Sequence, residues 1–196
     1  LTLSLGFGAQ APSAADKDPI KIGVYLPLTG QNAFGGQLEL EGVRLAQKEM
    51  PTVLDRPVEL VVVDNKSDKV EAANAVKRLV ERDKVVALIG TYGSSLAMAG
   101  AEVAEKAKVP GVGTSCTNPL VTQGKKYYFR ACFIDPYQGK KMADYAVEKL
   151  SAKTAAIFYQ TGSDYSEGLM NAFAEEAKAI GLEIVDTEAF AEGDKD

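Results

Sequence analysis

The stretch Val85–Ser95 restricts the fold of this chain more than any other. An apolar run, Val85–Ile89, stops at Gly90, a small polar turn follows, and LAMAGAEVAEKAK then repeats its apolar residues at helical spacing. A second strand and turn come next: VPGVG leads into Thr114, Ser115, Cys116, Thr117, Asn118 and Pro119. Apolar strands alternating with helices imply a parallel sheet with helices on both faces. The turns then lie at the carboxyl ends of the strands, where open α/β folds hold their ligands. Both turns are rich in hydroxyls and backbone N–H groups, and neither carries a charge. That chemistry suits a small anionic or zwitterionic molecule that is gripped and left unchanged.

The same alternation runs through the first two thirds of the chain. Ile20–Leu28 reads as a strand and Thr29–Gly36 as a loop, and Leu38, Gly42 and Leu45 fall at helical spacing through Met50. Pro51–Pro57 breaks the pattern before a strand at Val58–Val63. Asp68–Arg82 is a predicted helix with Ala72, Ala73, Val76, Leu79 and Val80 on one face. Strand Val85–Ile89, helix Leu96–Lys108 and strand Gly111–Gly113 complete a βαβαβαβ series. Right-handed crossovers make a Rossmann-like, doubly wound sheet its natural topology. At Tyr127–Tyr137, YYFRACFIDPY, the rhythm breaks, which predicts an extended segment leaving the first sheet. A new unit follows: helix Gln138–Leu150, strand Ala155–Tyr159, helix Ser166–Ile180 and strand Leu182–Phe190. Two strands cannot bury a sheet on both faces. The expectation is therefore the front part of a longer polypeptide, whose second unit self-associates through an unpaired sheet edge.

Composition removes whole classes of function. The 196 residues are 46% hydrophobic and 25% charged, as expected of a chain with a real core. The net charge of −5, with Lys and Arg dispersed, argues against a nucleic-acid partner. Histidine is absent from the sequence, so a Ser-His-Asp triad, a Cys-His pair and a histidine metal site are excluded within it. Two cysteines are too few for a disulfide scaffold or a four-cysteine zinc site, and no cofactor or metal is implied. Leu1–Gly8 is apolar and is followed by Ala9-Gln10-Ala11 and Ser13-Ala14-Ala15. This matches the tail of a secretory signal and places the mature protein outside the cytoplasm.

Several residues stand out as candidates for binding. Ser94 and Ser95 occupy the expected helix N-cap, where hydroxyls and free first-turn amides suit a carboxylate. Thr117 and the carbonyl of Ser115 suit an ammonium, and the Thr117 hydroxyl also suits a carboxylate. Cys116 has three open readings: a small wall residue, a disulfide partner of Cys132, or a nucleophile. Phe34 and Tyr92 are candidates for an apolar wall, and Tyr165 for a lid aromatic. Asp64 ends a strand as the ribose anchor of dinucleotide folds does, without the glycine fingerprint that should precede it. Neither Gly124-Lys125-Lys126 nor Gly139-Lys140-Lys141 has the Ser or Thr of a phosphate loop.

The segments IKIGVYLPLTGQNAFGGQLELEGVRLA, VELVVVDNKSD, IGTYGSS, VPGVGTSCTNPLVTQ, YYFRACFIDPYQGK and GSDYSEGL, in that order, resemble the periplasmic solute-binding proteins of ABC transporters for branched-chain amino acids. The resemblance runs from Pro19 to Asp196. It implies a type I periplasmic binding fold: two Rossmann-like lobes that close on a hinge over their ligand. By that likeness residues 1–15 are a signal-peptide remnant, 19–134 the N-terminal lobe without its returning segment, and 135–196 the beginning of the C-terminal lobe. It implies ligand contacts from Phe34, from Tyr92, Gly93 and Ser94, from Ser115, Cys116 and Thr117, and from Tyr165 across the cleft. The implied ligand is an amino acid or related small carboxylate, and the implied partner a membrane permease, with a periplasmic location. Two alternatives are a cofactor-independent racemase or hydrolase using Cys116, and a periplasmic sensor domain.

Overall fold

Residues 17–195 are described in a computed structural model, so the leader expectation on residues 1–15 lies outside the described residues. The first sheet and its helices comprise β1 (Ile20–Leu26), α1 (Ala33–Glu49), β2 (Thr52–Val53), β3 (Arg56–Asp64), α2 (Lys69–Glu81), β4 (Ala87–Ile89), α3 (Ser94–Ala107), β5 (Gly111–Gly113) and β6 (Tyr128–Arg130). A second unit follows: α4 (Asp135–Glu148), β7 (Thr154–Gln160), α5 (Asp164–Ile180) and β8 (Glu183–Phe190). The first sheet runs β2-β3-β1-β4-β5-β6, parallel except for the β2–β3 hairpin. Strands β7 and β8 pair in parallel as a separate sheet. The chain winds outward both ways from β1, which places a topological switch point between β1 and β4.

Local chemistry explains the elements. The Asp68 side chain caps α2 by accepting from Glu71 N at 2.8 Å, and α2 buries Ala72, Ala75, Val76 and Leu79. This stripe packs with α3 against Tyr25, Leu88 and Tyr128 on one face of the sheet. On the other face α1 places Leu40 and Val43 over Val24, Leu26, Leu60 and Val62. The expected burial on both faces is uneven: Val112, level with Ile89 on the α1 side, is 42% exposed.

Four expectations are corrected. The break at Pro51–Pro57 contains the β2–β3 hairpin, turned through Leu54 and Asp55, both at positive φ. Tyr128–Arg130 does not leave the first sheet but closes it as β6, paired with Gly111–Gly113. Helix α1 begins at Ala33 rather than Leu38, because Gly36 N already bonds to Asn32 O at 3.1 Å. Helix α5 begins at Asp164, with the Ser163 hydroxyl capping it by accepting from Ser166 N at 3.3 Å, so Tyr165 is helical and not in a loop.

The core and the strand tips meet at Gly90. It has φ +130, and a Cβ there would lie 2.2 Å from the Tyr25 carbonyl oxygen. Gly90→Ala is expected to cost ~2–4 kcal/mol through strain and displaced backbone. A urea titration giving the parent's midpoint would contradict this.

Candidate functional site

The turns that follow β1, β3, β4 and β5 are tied to one another by polar side chains. The Asp64 carboxylate accepts from Leu28 N (2.8 Å), Thr29 N (3.2 Å), Lys66 N (2.8 Å) and the Thr29 hydroxyl (2.6 Å). Burial would raise its pKa, but these bonds outweigh it and hold the carboxyl below its usual range. Asp64 thus acts as a brace between two loops. Buried Asn65 donates to the Thr91 hydroxyl at 2.8 Å and accepts from Ser67 N at 3.1 Å.

The tips of β4 and β5 are joined directly. Gly93, at φ +95, is the N-cap of α3, and its N–H donates to Ser115 O at 2.9 Å. Ser94, expected at the cap, is instead the first helical residue; its buried hydroxyl accepts from Asn118 N at 3.1 Å. The first intrahelical bond of α3 runs from Ala97 N to Gly93 O, so the amides of Ser94, Ser95 and Leu96 precede the helical ladder.

Behind this junction sits Arg130. Its guanidinium donates to Cys116 O (3.0 Å), Asn118 O (2.8 Å), Pro119 O (3.0 Å) and the Thr122 hydroxyl (2.7 Å). Glu39 of α1 accepts from the Thr114 hydroxyl at 2.7 Å, and burial pushes its carboxyl up despite that bond.

A cleft of about 460 Å³ opens above the joined tips. The first sheet contributes Asn32, Ser67, Lys69, Tyr92, Gly93, Ser94, Ser95 and Leu96 to its walls, and the second unit contributes Gln160, Gly162, Ser163 and Tyr165. Its size falls in the range of small-molecule sites. Of the residues singled out by sequence, Tyr92, Gly93, Ser94 and Tyr165 share this cleft, both tyrosines being 38% exposed. Phe34 does not line it; its ring is 78% exposed at the start of α1, beside Gly35, over which the Tyr92 ring lies. Ser115, Cys116 and Thr117 do not line it: Ser115 is exposed, Thr117 half-buried and Cys116 buried. The Ser115 carbonyl is bonded to Gly93, and the Thr117 carbonyl to Asp135 N at 2.9 Å.

Cys116 is fully buried, its sulfur packed over Gly113, and both thiols are free. Burial above all, then the neighbouring Cys132, raises its pKa to about 12. A thiol at that value is almost wholly protonated at neutral pH, the opposite of an activated thiolate.

Sequence reasoning did not single out Lys69, Glu39, Arg130 or Asp164 for this site. An arginine within the aromatic run YYFRACF was the available signal for Arg130: a charge among apolar residues needs partners.

Residues 19–196 match the periplasmic binding protein family. The chain belongs to that family. It is 30% identical over its whole length to an amino acid binding protein of Pseudomonas aeruginosa, of which it covers 52%. It is 27% identical over its whole length to the leucine-specific-binding protein of Salmonella typhimurium, covering 54% of it. Among solved structures, a leucine binding protein LivK from Thermotoga maritima superposes with a TM-score of 0.88 at 45% identity, covering 90% of this chain and 50% of that one. The branched-chain amino acid transporter substrate binding protein LivJ from Streptococcus pneumoniae, in complex with isoleucine, gives 0.85 at 36% identity, covering 91% and 51%. The periplasmic binding protein thus spans about half the length of the curated relatives it matches. Its α/β architecture is that of type I periplasmic binding proteins.

Two expected outcomes follow from this geometry. Arg130→Ala strands four acceptors and is expected to cost ~2–4 kcal/mol; an unchanged unfolding free energy would contradict the role given to Arg130. Because the folded pKa of Asp64 is lowered, its contribution is complete above the ordinary carboxylate value near ~3.9 and disappears as pH falls through the folded value. Asp64→Asn is therefore expected to be less stable than the parent at neutral pH and to converge with it in acid. Parallel equilibrium urea titrations of parent and variant across pH check this, and a constant difference would refute it.

Proposed function

We propose that the chain is the ligand-gripping part of an extracytoplasmic solute-binding protein serving an ABC uptake transporter. Its ligand is a branched-chain amino acid or a closely related small carboxylate. The observation that carries the reading is the cleft in which Ser94 and the first turn of α3 face Tyr165 of the second unit. The ligand carboxylate sits on the amides of Ser95 and Leu96 with the Ser94 hydroxyl donating, aided by the positive end of the α3 dipole. Charge-assisted bonds of this kind contribute ~1.5–3 kcal/mol each, so three of them support micromolar or tighter binding. Tyr92, Leu96 and Tyr165 give the side chain an apolar wall. The turn Ser115–Thr117 supports the grip from behind, and Phe34 folds over the mouth when ligand is present. Residues 19–134 and 135–196 act as parts of two lobes that close by a hinge, and the closed form docks on the membrane permease in the periplasm.

This reading is supported by the family membership and by relatives whose names include leucine and isoleucine binding. Calorimetry with leucine and isoleucine tests it. Ser94→Ala is expected to weaken binding about tenfold or more, and Thr117→Ala, which loosens the supporting turn, to weaken it less. Parent-like affinity in both variants would overturn the site. The β7–β8 sheet leaves Phe158 and Val185 exposed, and we propose that this unit self-associates through its edge. A monomer at high concentration in sedimentation velocity would contradict that.

A further inference from the structure

Three side chains of the first sheet's connections reach across to the beginning of α5. The Ser95 hydroxyl accepts from Asp164 N at 3.0 Å. Asn118 Nδ2 donates to Asp164 O at 2.7 Å. Lys69 Nζ lies 3.0 Å from Asp164 Oδ2 and 3.4 Å from Gly162 O. These residues come from three separate places: the first turn of α2, the first turn of α3, and the loop after β5. They converge on one point of the second unit, the residue beside Tyr165.

We propose that Lys69, Ser95 and Asn118 form a latch on residues 162–164 that holds the second unit against the first sheet before ligand enters, so that the latch sets the affinity of the cleft. The contacts are polar bonds at the cleft's edge, which can be made and broken without exposing a core. Each neutral bond of this kind multiplies the closed-to-open ratio about fivefold. Apparent affinity scales with the fraction of molecules in the binding-competent form, so the latch bonds strengthen binding by holding the closed form, separately from any contact with the ligand. Gripping Asp164 also orients the start of α5, and with it places Tyr165 opposite Gly93 and Ser94. Burial alone would raise the Asp164 pKa, yet the Ser95 hydroxyl and the Lys69 ammonium lower it, keeping the carboxylate charged for its partner. The affinity consequence rests on the cleft being the ligand site proposed above; the closure itself does not.

The test is small-angle scattering of the ligand-free protein, followed by stopped-flow leucine binding. Asn118→Asp keeps the acceptor that caps Leu120 N at 2.9 Å while losing the donor to Asp164. Lys69→Met changes an exposed side chain and leaves the core intact, which guards against a variant that merely unfolds. Each substitution, and the two combined with Ser95→Ala, is expected to shift the ligand-free protein to a larger radius of gyration. Each single change is expected to weaken leucine binding by up to about fivefold, the limit reached once the open form predominates, mostly through faster dissociation. A radius of gyration unchanged in all variants overturns the latch, even where leucine binds. Expansion of the variants with no leucine binding by either parent or variant upholds the latch and removes the proposed ligand.

Discussion

The site depends on the joining of two strand tips. At the carboxyl ends of parallel strands the backbone runs out of ladder partners, and those groups must be satisfied by turns, side chains or a ligand. Here Gly93 N bonds to Ser115 O and Asn118 N to the Ser94 hydroxyl, so β4 and β5 satisfy each other across their tips. Arg130, standing on β6, collects the carbonyls of Cys116, Asn118 and Pro119 from below. The first amides of α3, which precede the helical ladder, belong to residues that line the cleft. In the proposed site, uncharged dipoles held by these bonds need little reorganisation when an anion arrives.

The same constraint extends into the core. The Tyr25 and Tyr128 hydroxyls bond to each other, and Tyr128 also donates to the Gly90 carbonyl at the end of β4. Burial raises the pKa of both phenols, so they remain neutral donors throughout the physiological range. Gly100 and Gly111 leave room for these two rings, whose edges approach where a Cβ would stand. A polar thread therefore runs from the interior of the first sheet to the turn that presents Gly93 and Ser94. Packing and site geometry cannot be varied independently along it.

Much of this was legible as periodicity. Strand Gly111–Gly113 and the helices α2 and α3 appear where the apolar spacing puts them, because strong 3.6-residue patterns with caps leave few alternatives. The β2–β3 hairpin was not legible: it has two residues in its short strand and turns through Leu54 and Asp55, and of the two only Asp is a residue that favours positive φ. The placement of Tyr128–Arg130 was missed because a three-residue edge strand carries no alternation of its own. Within the site, hydroxyl-rich turns pointed to Ser94. They could not distinguish a residue that lines the cleft from one such as Thr114, whose hydroxyl is spent on Glu39. Contacts between residues far apart in sequence, such as Lys69 with Asp164, follow from the arrangement of the two units and leave no local trace.

The central claim is that neutral dipoles at joined strand tips recognise a carboxylate. Paired calorimetric titrations with leucine and with leucinamide, which keeps the side chain and the ammonium but lacks the anion, test it most directly. Leucine is expected to bind and leucinamide to lose about a hundredfold or more in affinity, the worth of two charge-assisted bonds. Equal affinity for the two compounds would show that the tips of β4 and β5 do not hold the ligand's negative end.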